Sequence, residues 1–177
     1  MNNKIKFLKN IKPTFDITTL KFKTTELELD TEYHSYNKQF KNIDKHEKLI
    51  KVFHENMPEE IIKYIKLMGF EKNQYTSNIN IQVPGQFVSL HKDGHLNARK
   101  VFNLETTDFR RFLVFLTDWH MGEVFCVEEE CVTDWKAGDW YTFDSINKWH
   151  YGVNAGHVNK YTLLLSVINK FIPKKIL

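Results

Sequence analysis

Between Tyr75 and His91 the chain reads YTSNINIQVPGQFVSLH. YTSNINIQV alternates polar and apolar side chains, the period of a strand whose neighbouring residues point to opposite faces. Pro84 and Gly85 punctuate the alternation as a turn dipeptide, and QFVSLH resumes an extended pattern. From here the β pattern persists almost to the C-terminus. RRFLVFLTDW (110–119) reads as a buried strand, and MGEVFCV (121–127) with CVTDW (131–135) as a hairpin. KAG is a turn, DWYTFD (139–144) the next strand, WHYGV (149–153) a short one, and KYTLLLSVI (160–168) a long buried one. About eight short strands thus follow residue 73, with the turn spacing of a sandwich or barrel. Residues 93–108 read as a long loop with room for a short helix.

Upstream the pattern differs. Residues 4–29 alternate in places and predict one or two strands, and residues 31–43 predict a loop. A helix is expected from Asp44 to Asn56, with Leu49, Ile50 and Phe53 on one face. A second begins at Pro58, a favoured first helical position, with Glu59 and Glu60 near the positive end of its dipole. Ile61, Ile62, Ile65 and Met68 recur at helical spacing and Gly69 can end it. The expectation is a single α+β, mainly β domain over residues 1–177, with helical support over about 44–69 and a β core over about 74–170.

Composition fits this picture. The chain has 177 residues, 42% of them hydrophobic and 14% aromatic, and aromatics suit pleated, half-buried surfaces. The net charge of +3 demands no nucleic-acid partner. No apolar stretch approaches the ~20 residues of a membrane helix, so no membrane partner is expected. MNNKIKFLKN lacks the apolar run of a signal peptide, so the expected location is cytoplasmic. In that compartment Cys126 and Cys131, although they flank a turn, are expected to be reduced core thiols.

The chemistry gathers at HKD. Residues i and i+2 of a strand share a face, so His91 and Asp93 can point into one cavity. A further histidine must come from elsewhere, and His150 follows the strand DWYTFD. Two histidines and one carboxylate make the facial triad of non-haem Fe(II) oxygenases, which leaves positions open for a co-substrate and dioxygen. His-x-Asp alone is a weak signal. His95 follows Gly94, where the strand should have ended, and is expected to be a bystander. The four tryptophans read as core, with Trp149, beside His150, the best exception.

The order and spacing of several segments are more specific than any one of them. QVPGQFVSLHKD (82–93), RFLVFLTDW (111–119), GDWYTF (138–143) and HYGVNAG (150–156), followed by Lys160, together resemble the Fe(II)/2-oxoglutarate-dependent oxygenase superfamily. The resemblance is nearest to the prolyl-4-hydroxylase-like branch and to small phage and marine-bacterial members. It spans residues 74–168. It implies a double-stranded β-helix, a jelly-roll or cupin-like core, buttressed by the N-terminal helices. It implies Fe(II) on His91, Asp93 and His150, and 2-oxoglutarate and dioxygen as co-substrates. It implies a carboxylate anchor at Lys160, where a buried cation would offset desolvation, helped by Thr162. The expected reaction is hydroxylation of an unactivated C–H bond, with 2-oxoglutarate decarboxylated to succinate, on a small-molecule or peptidyl substrate such as a proline-like side chain. Departures are visible. Gln82 stands where the branch often has a co-substrate-binding tyrosine and could still donate; Val88 also replaces a common tyrosine. Arg110 and Arg111 must face opposite ways, and Arg111 is a candidate co-substrate contact. The competing reading is a cupin-like metal-dependent isomerase, hydrolase or metal-binding protein that holds Zn, Mn or Ni without 2-oxoglutarate, with His95 as an added ligand.

Overall fold

The longest of the described strands, KYTLLLSVI, lies at the centre of the larger sheet. The structure is a computed structural model and describes residues 4–28, 48–174 and 176. Strands β1 (Ile5–Asn10), β2 (Thr25–Glu28) and β3 (Lys48–Phe53) precede helix α1 (Glu59–Lys66). β4 (Tyr75–Gln82), β5 (Gln86–His91), helix α2 (Leu96–Phe102), β6 (Phe109–Phe115), β7 (Glu123–Val127), β8 (Glu130–Val132), β9 (Asp139–Phe143), β10 (His150–Asn154) and β11 (Lys160–Ile168) follow. One sheet has the order β1-β9-β6-β11-β4-β3-β2 and the other β5-β10-β7-β8. The paired strands are antiparallel throughout.

From β4 onward the chain crosses between the sheets at nearly every step: β4, β6, β9 and β11 lie in one, β5, β7, β8 and β10 in the other. That double winding of eight strands is a jelly-roll sandwich. Pro84–Gly85 is the crossing from β4 to β5, and Gly85 takes the positive φ of 85° that the turn requires.

Strand parity sorts the side chains. Along β11, Leu163, Leu165 and Val167 face outward, where they join Phe112 and Val114 of β6 and Ile61, Tyr64 and Ile65 of α1 in one core. α1 therefore buttresses the large sheet with the stripe its sequence encodes, and each fully buried aliphatic or aromatic side chain contributes roughly 1.5–3 kcal/mol. A second core of Leu113, Phe115, Phe125, Val127, Trp135 and Phe143 fills one end of the sandwich. The alternate residues of β11, among them Lys160, Thr162 and Leu164, line a cavity between the sheets.

Three expectations need correction. The helix expected over 44–56 is not formed by its described part: residues 48–53 are β3, followed by a short 3-10 turn over His54–Asn56. Leu49, Ile50 and Phe53 satisfy helical spacing, but a short apolar run satisfies strand spacing equally. The edge of β4 settles the matter by pairing Ile50 with Ile81 and Val52 with Ile79. Residues 44–47 and the loop expected over 31–43 lie outside the described residues. Nor are the cysteines reduced thiols: Cys126 and Cys131 face each other across the β7–β8 hairpin and form a disulfide. Finally, Phe15 and Ile17, expected in a strand, sit before and within a 3-10 turn over Ile17–Thr19. Among the described residues no helix is long and apolar enough to cross a membrane.

Candidate metal centre

β5 and β10 are neighbours in the smaller sheet, and their register sets His150 opposite His91. The two imidazoles lie 4.2 Å apart between ring centroids. Asp93 follows two residues after His91, its backbone N–H donating to the Ser145 carbonyl at 2.8 Å. Its Oδ1 is 3.8 Å from His91 Nε2 and its Oδ2 is 3.7 Å from His150 Nε2. One donor atom from each of the three residues lies within 4.8 Å of the others. Each histidine contacts the carbonyl two residues earlier through Nδ1: His91 to Ser89 at 2.7 Å and His150 to Lys148 at 3.2 Å. Nδ1–H donation to those carbonyls makes Nε2 the acceptor nitrogen of each ring, on the side that faces Asp93, as metal ligation requires. Burial pushes the His150 pKa down to about 4, with Asp93 opposing, so its imidazole is neutral at ordinary pH.

Asp93 is held by Arg111. Arg111 Nε and Nη2 both reach Asp93 Oδ2, at 2.8 and 2.6 Å, and Nη1 donates to Ser166 Oγ at 3.0 Å. Burial works to raise the Asp93 pKa, but Arg111, His150 and His91 together hold it well below the usual carboxylate range. Parity explains the choice of arginine: Arg111 shares the inner face of β6 with Leu113 and Phe115, and Arg110 instead donates to Thr142 Oγ1. Arg111 does face the cavity, as a co-substrate contact would, but these hydrogen bonds go to Asp93 and Ser166. His95 is no metal-ligand candidate in this geometry. It caps α2 with a left-handed φ of 48°, is buried, and its two ring nitrogens contact Ser166 Oγ at 2.8 Å and Ser145 Oγ at 2.9 Å. Burial, aided by Arg111, pushes its pKa down to about 3. His95 is thus a neutral strut that ties α2 to Ser145, whose carbonyl also holds the Asp93 backbone.

Lys160 starts β11 inside the sandwich and is only 1% exposed. Its ammonium donates to Val124 O at 2.7 Å and Val153 O at 3.3 Å and lies 5.2 Å from the centroid of the Trp135 ring. An ammonium has three donors, so one remains beyond those two carbonyls. Burial lowers its pKa to about 7, with Glu123 opposing. A Cβ on Gly152 would come within 3.6 Å of Lys160 Nζ and 3.3 Å of Gln82 Oε1, so the glycine leaves space for both. His91, Asp93, His150, Lys160, Thr162, Gln82 and Arg111 all line one enclosed cavity of about 110 Å³. Gln82 donates to the Gly152 carbonyl at 3.1 Å.

No protein-family model matches the sequence, and no curated protein does. Solved structures do. One is a 2OG-Fe(II) oxygenase family oxidoreductase from Burkholderia pseudomallei, at 11% identity and a TM-score of 0.56 over 86% of this chain and 75% of that one. Another is a predicted oxalate decarboxylase from Thermotoga maritima, at 18% identity and a TM-score of 0.43 over 68% and 81%. A third is a cupin-superfamily sugar phosphate isomerase from Silicibacter pomeroyi, at 14% and 0.42 over 67% and 59%. The fold is a jelly roll. Within that jelly roll the triad sits where β5 ends and β10 begins, and Lys160, the first residue of β11 in the other sheet, pairs with Gln82 at the end of β4.

The jelly roll also exposes residues that the sequence reading passed over. Asn78 and Asn80 alternate along β4 with Gln82, already a candidate, and all three face the cavity. Their polar period in a strand otherwise buried was a legible sign that its inner face lines a pocket and not a core. Lys51 was hidden by the helical reading of β3. Beside the cavity lies an open cleft of about 790 Å³, walled by β3, β4 and α2. Lys51, Asn78, Asp93 and Arg111 line both spaces. Trp149, at 38% exposure, is the tryptophan left at the surface beside the centre, with Lys92 Nζ 5.0 Å from its ring centroid.

Proposed function

We propose that the chain is an Fe(II)- and 2-oxoglutarate-dependent dioxygenase that hydroxylates an unactivated C–H bond in an amino-acid side chain, free or peptidyl. The observation that carries this reading is the buried Lys160 in the wall of the same enclosed cavity as the His91, Asp93 and His150 cluster. Two imidazoles that turn Nε2 toward Asp93 and one carboxylate kept ionised form a donor set suited to iron, with positions left open. When bound, iron, 2-oxoglutarate and dioxygen would supply the oxidation: one oxygen atom of dioxygen ends in succinate as 2-oxoglutarate loses carbon dioxide, and the other ends in the hydroxyl formed at the C–H bond.

The rest is the work of the chain. His91, Asp93 and His150 would hold the metal, and Arg111 keeps the carboxylate charged and oriented. Lys160 and Thr162 would meet the far carboxylate of the co-substrate, with Gln82 beside them. Leu113, Phe125, Phe143 and Leu164 wall the cavity with apolar surface and keep water from the reacting end.

The test is aerobic incubation of the Fe(II)-loaded protein with carboxyl-labelled 2-oxoglutarate. Release of labelled carbon dioxide with equimolar succinate is expected even without substrate, at a slow rate. No release, together with Zn as the copurifying metal, would overturn the reading in favour of a cupin-like hydrolase, isomerase or binder.

A further inference from the structure

We propose that the open cleft takes a substrate bearing a carboxylate and that Lys51 is the residue that holds it, a specificity-determining contact for the reaction above. The proposal rests on reading His91, Asp93 and His150 as the reaction centre. Lys51 lies on the inner face of β3, paired with Asn80 of β4. It lines both the cleft and the enclosed cavity, so a group bound to it is beside Asp93 and Arg111.

The neighbouring basic side chains are engaged differently. Arg111 is committed to Asp93 and Ser166. His95 has a serine hydroxyl at each ring nitrogen. Lys100 is exposed at the rim on α2. Of these inner basic side chains, that of Lys51 alone makes no hydrogen bond or ion pair among the described residues. Burial and Arg111 both disfavour its charge, with Asp93 opposing, so an arriving anion would relieve a desolvated cation. The cleft matches a monoanion better than a phosphate. It offers one uncommitted inner cation with the neutral donors Thr76 and Asn78, and Glu55 and Asp93 on its walls would repel a polyanion.

The shared chemistry is a carboxylate, which a free amino acid carries on its main chain and an acidic peptide on a side chain. The experiment uses the isotope-labelled full-length chain without metal or 2-oxoglutarate, and follows the backbone amide resonances of Thr76, Asn97 and Ala98. Three probes are titrated: N-acetyl-L-alanine, its neutral twin N-acetyl-L-alaninamide, and N-acetyl-L-isoglutamine, whose carboxylate is on the side chain. Saturable shifts with one or both carboxylates are expected, with the neutral twin binding about tenfold more weakly or worse. Which carboxylate binds better separates the free-acid from the side-chain source. Lys51→Met and Lys51→Gln should each weaken the carboxylate by about tenfold, Lys51→Arg should retain it, and Lys100→Met should leave it unchanged. Equal binding of the neutral twin, no shift with any probe, or full binding by the Met and Gln variants would overturn the proposal. So would displacement of the probe by 2-oxoglutarate, which would assign Lys51 to the co-substrate cavity. Because the readout needs neither iron nor turnover, its failure is distinct from a failure to form succinate.

Discussion

His150 stands directly opposite His91 across the β5–β10 pairing, and the two rings approach to 4.2 Å between centroids. Both present Nε2 toward Asp93 because both have a backbone carbonyl at Nδ1. The pairing brings three possible metal ligands together from distant parts of the sequence, and on the proposed reading His150 completes the set. His150→Ala should abolish stoichiometric binding of Fe(II), or of Co(II) as its spectroscopic substitute, and with it uncoupled succinate formation. Metal titration followed by absorbance checks this. Retention of one tight equivalent would move the site elsewhere.

Arg111 places two nitrogens on one oxygen of Asp93. In Arg111→Met the carboxylate stays buried and loses its cation, so its pKa rises and it ligates less well. Metal affinity should fall by about 10–100-fold, with Arg111→Lys recovering part of the loss. Thermal unfolding measured alongside separates this from global destabilisation. Unchanged affinity in a folded Met variant would leave Arg111 with no role in holding the ligand.

Lys160→Ala should raise the 2-oxoglutarate concentration needed for half-maximal turnover by about tenfold or more while leaving Co(II) binding intact. An unchanged requirement would point to another anchor.

The same lysine predicts a pH dependence. Burial lowers its pKa to about 7, against about 10.4 in an unfolded chain. Between those values the unfolded state binds the extra proton. The penalty from this group is therefore complete below about pH 7 and is relieved as the pH rises toward about 10. A dicarboxylate in the cavity restores the charge, so 2-oxoglutarate binding at about pH 8 should take up nearly one proton, and at about pH 6 almost none. Calorimetry in buffers of different ionisation enthalpy reads the uptake directly. No uptake at the higher pH would mean that Lys160 is charged before the ligand arrives.

Gly138 has a φ of 91°, and a Cβ there would collide with the Ile11 carbonyl. Its own N–H donates to Phe115 O at 2.8 Å and its carbonyl accepts from Ile11 N at 2.9 Å, which joins the turn before β9 to two other segments. Gly138→Ala should lower stability by at least about 2 kcal/mol, read from denaturant unfolding. A loss of a few tenths would show that the turn can shift freely.

Local chemistry determined much of this molecule. The alternation of β4 and β11, the turns at Pro84–Gly85 and Gly138, the α1 stripe closed by Gly69, and the His91-x-Asp93 pair are all legible from neighbouring residues. Each depends only on side chains within a few positions of one another, through strand or helix period and the backbone preferences of proline and glycine. The order of the segments, by resemblance, pointed to His150 and Lys160 as their distant partners. Only tertiary structure decided the rest. LIKVF fits either period, and the open edge of β4 made it a strand and thereby turned Lys51 inward. Either Arg110 or Arg111 could have entered the sandwich, and the register of β6 against β11, which sets Arg111 opposite Ser166, chose between them. His95 is a strut because α2 folds back onto Ser145 and Ser166, and Cys126 meets Cys131 because β8 pairs with β7 in that register. Such outcomes depend on which backbone edges and which buried polar groups find partners across the sandwich. No window of sequence contains both partners.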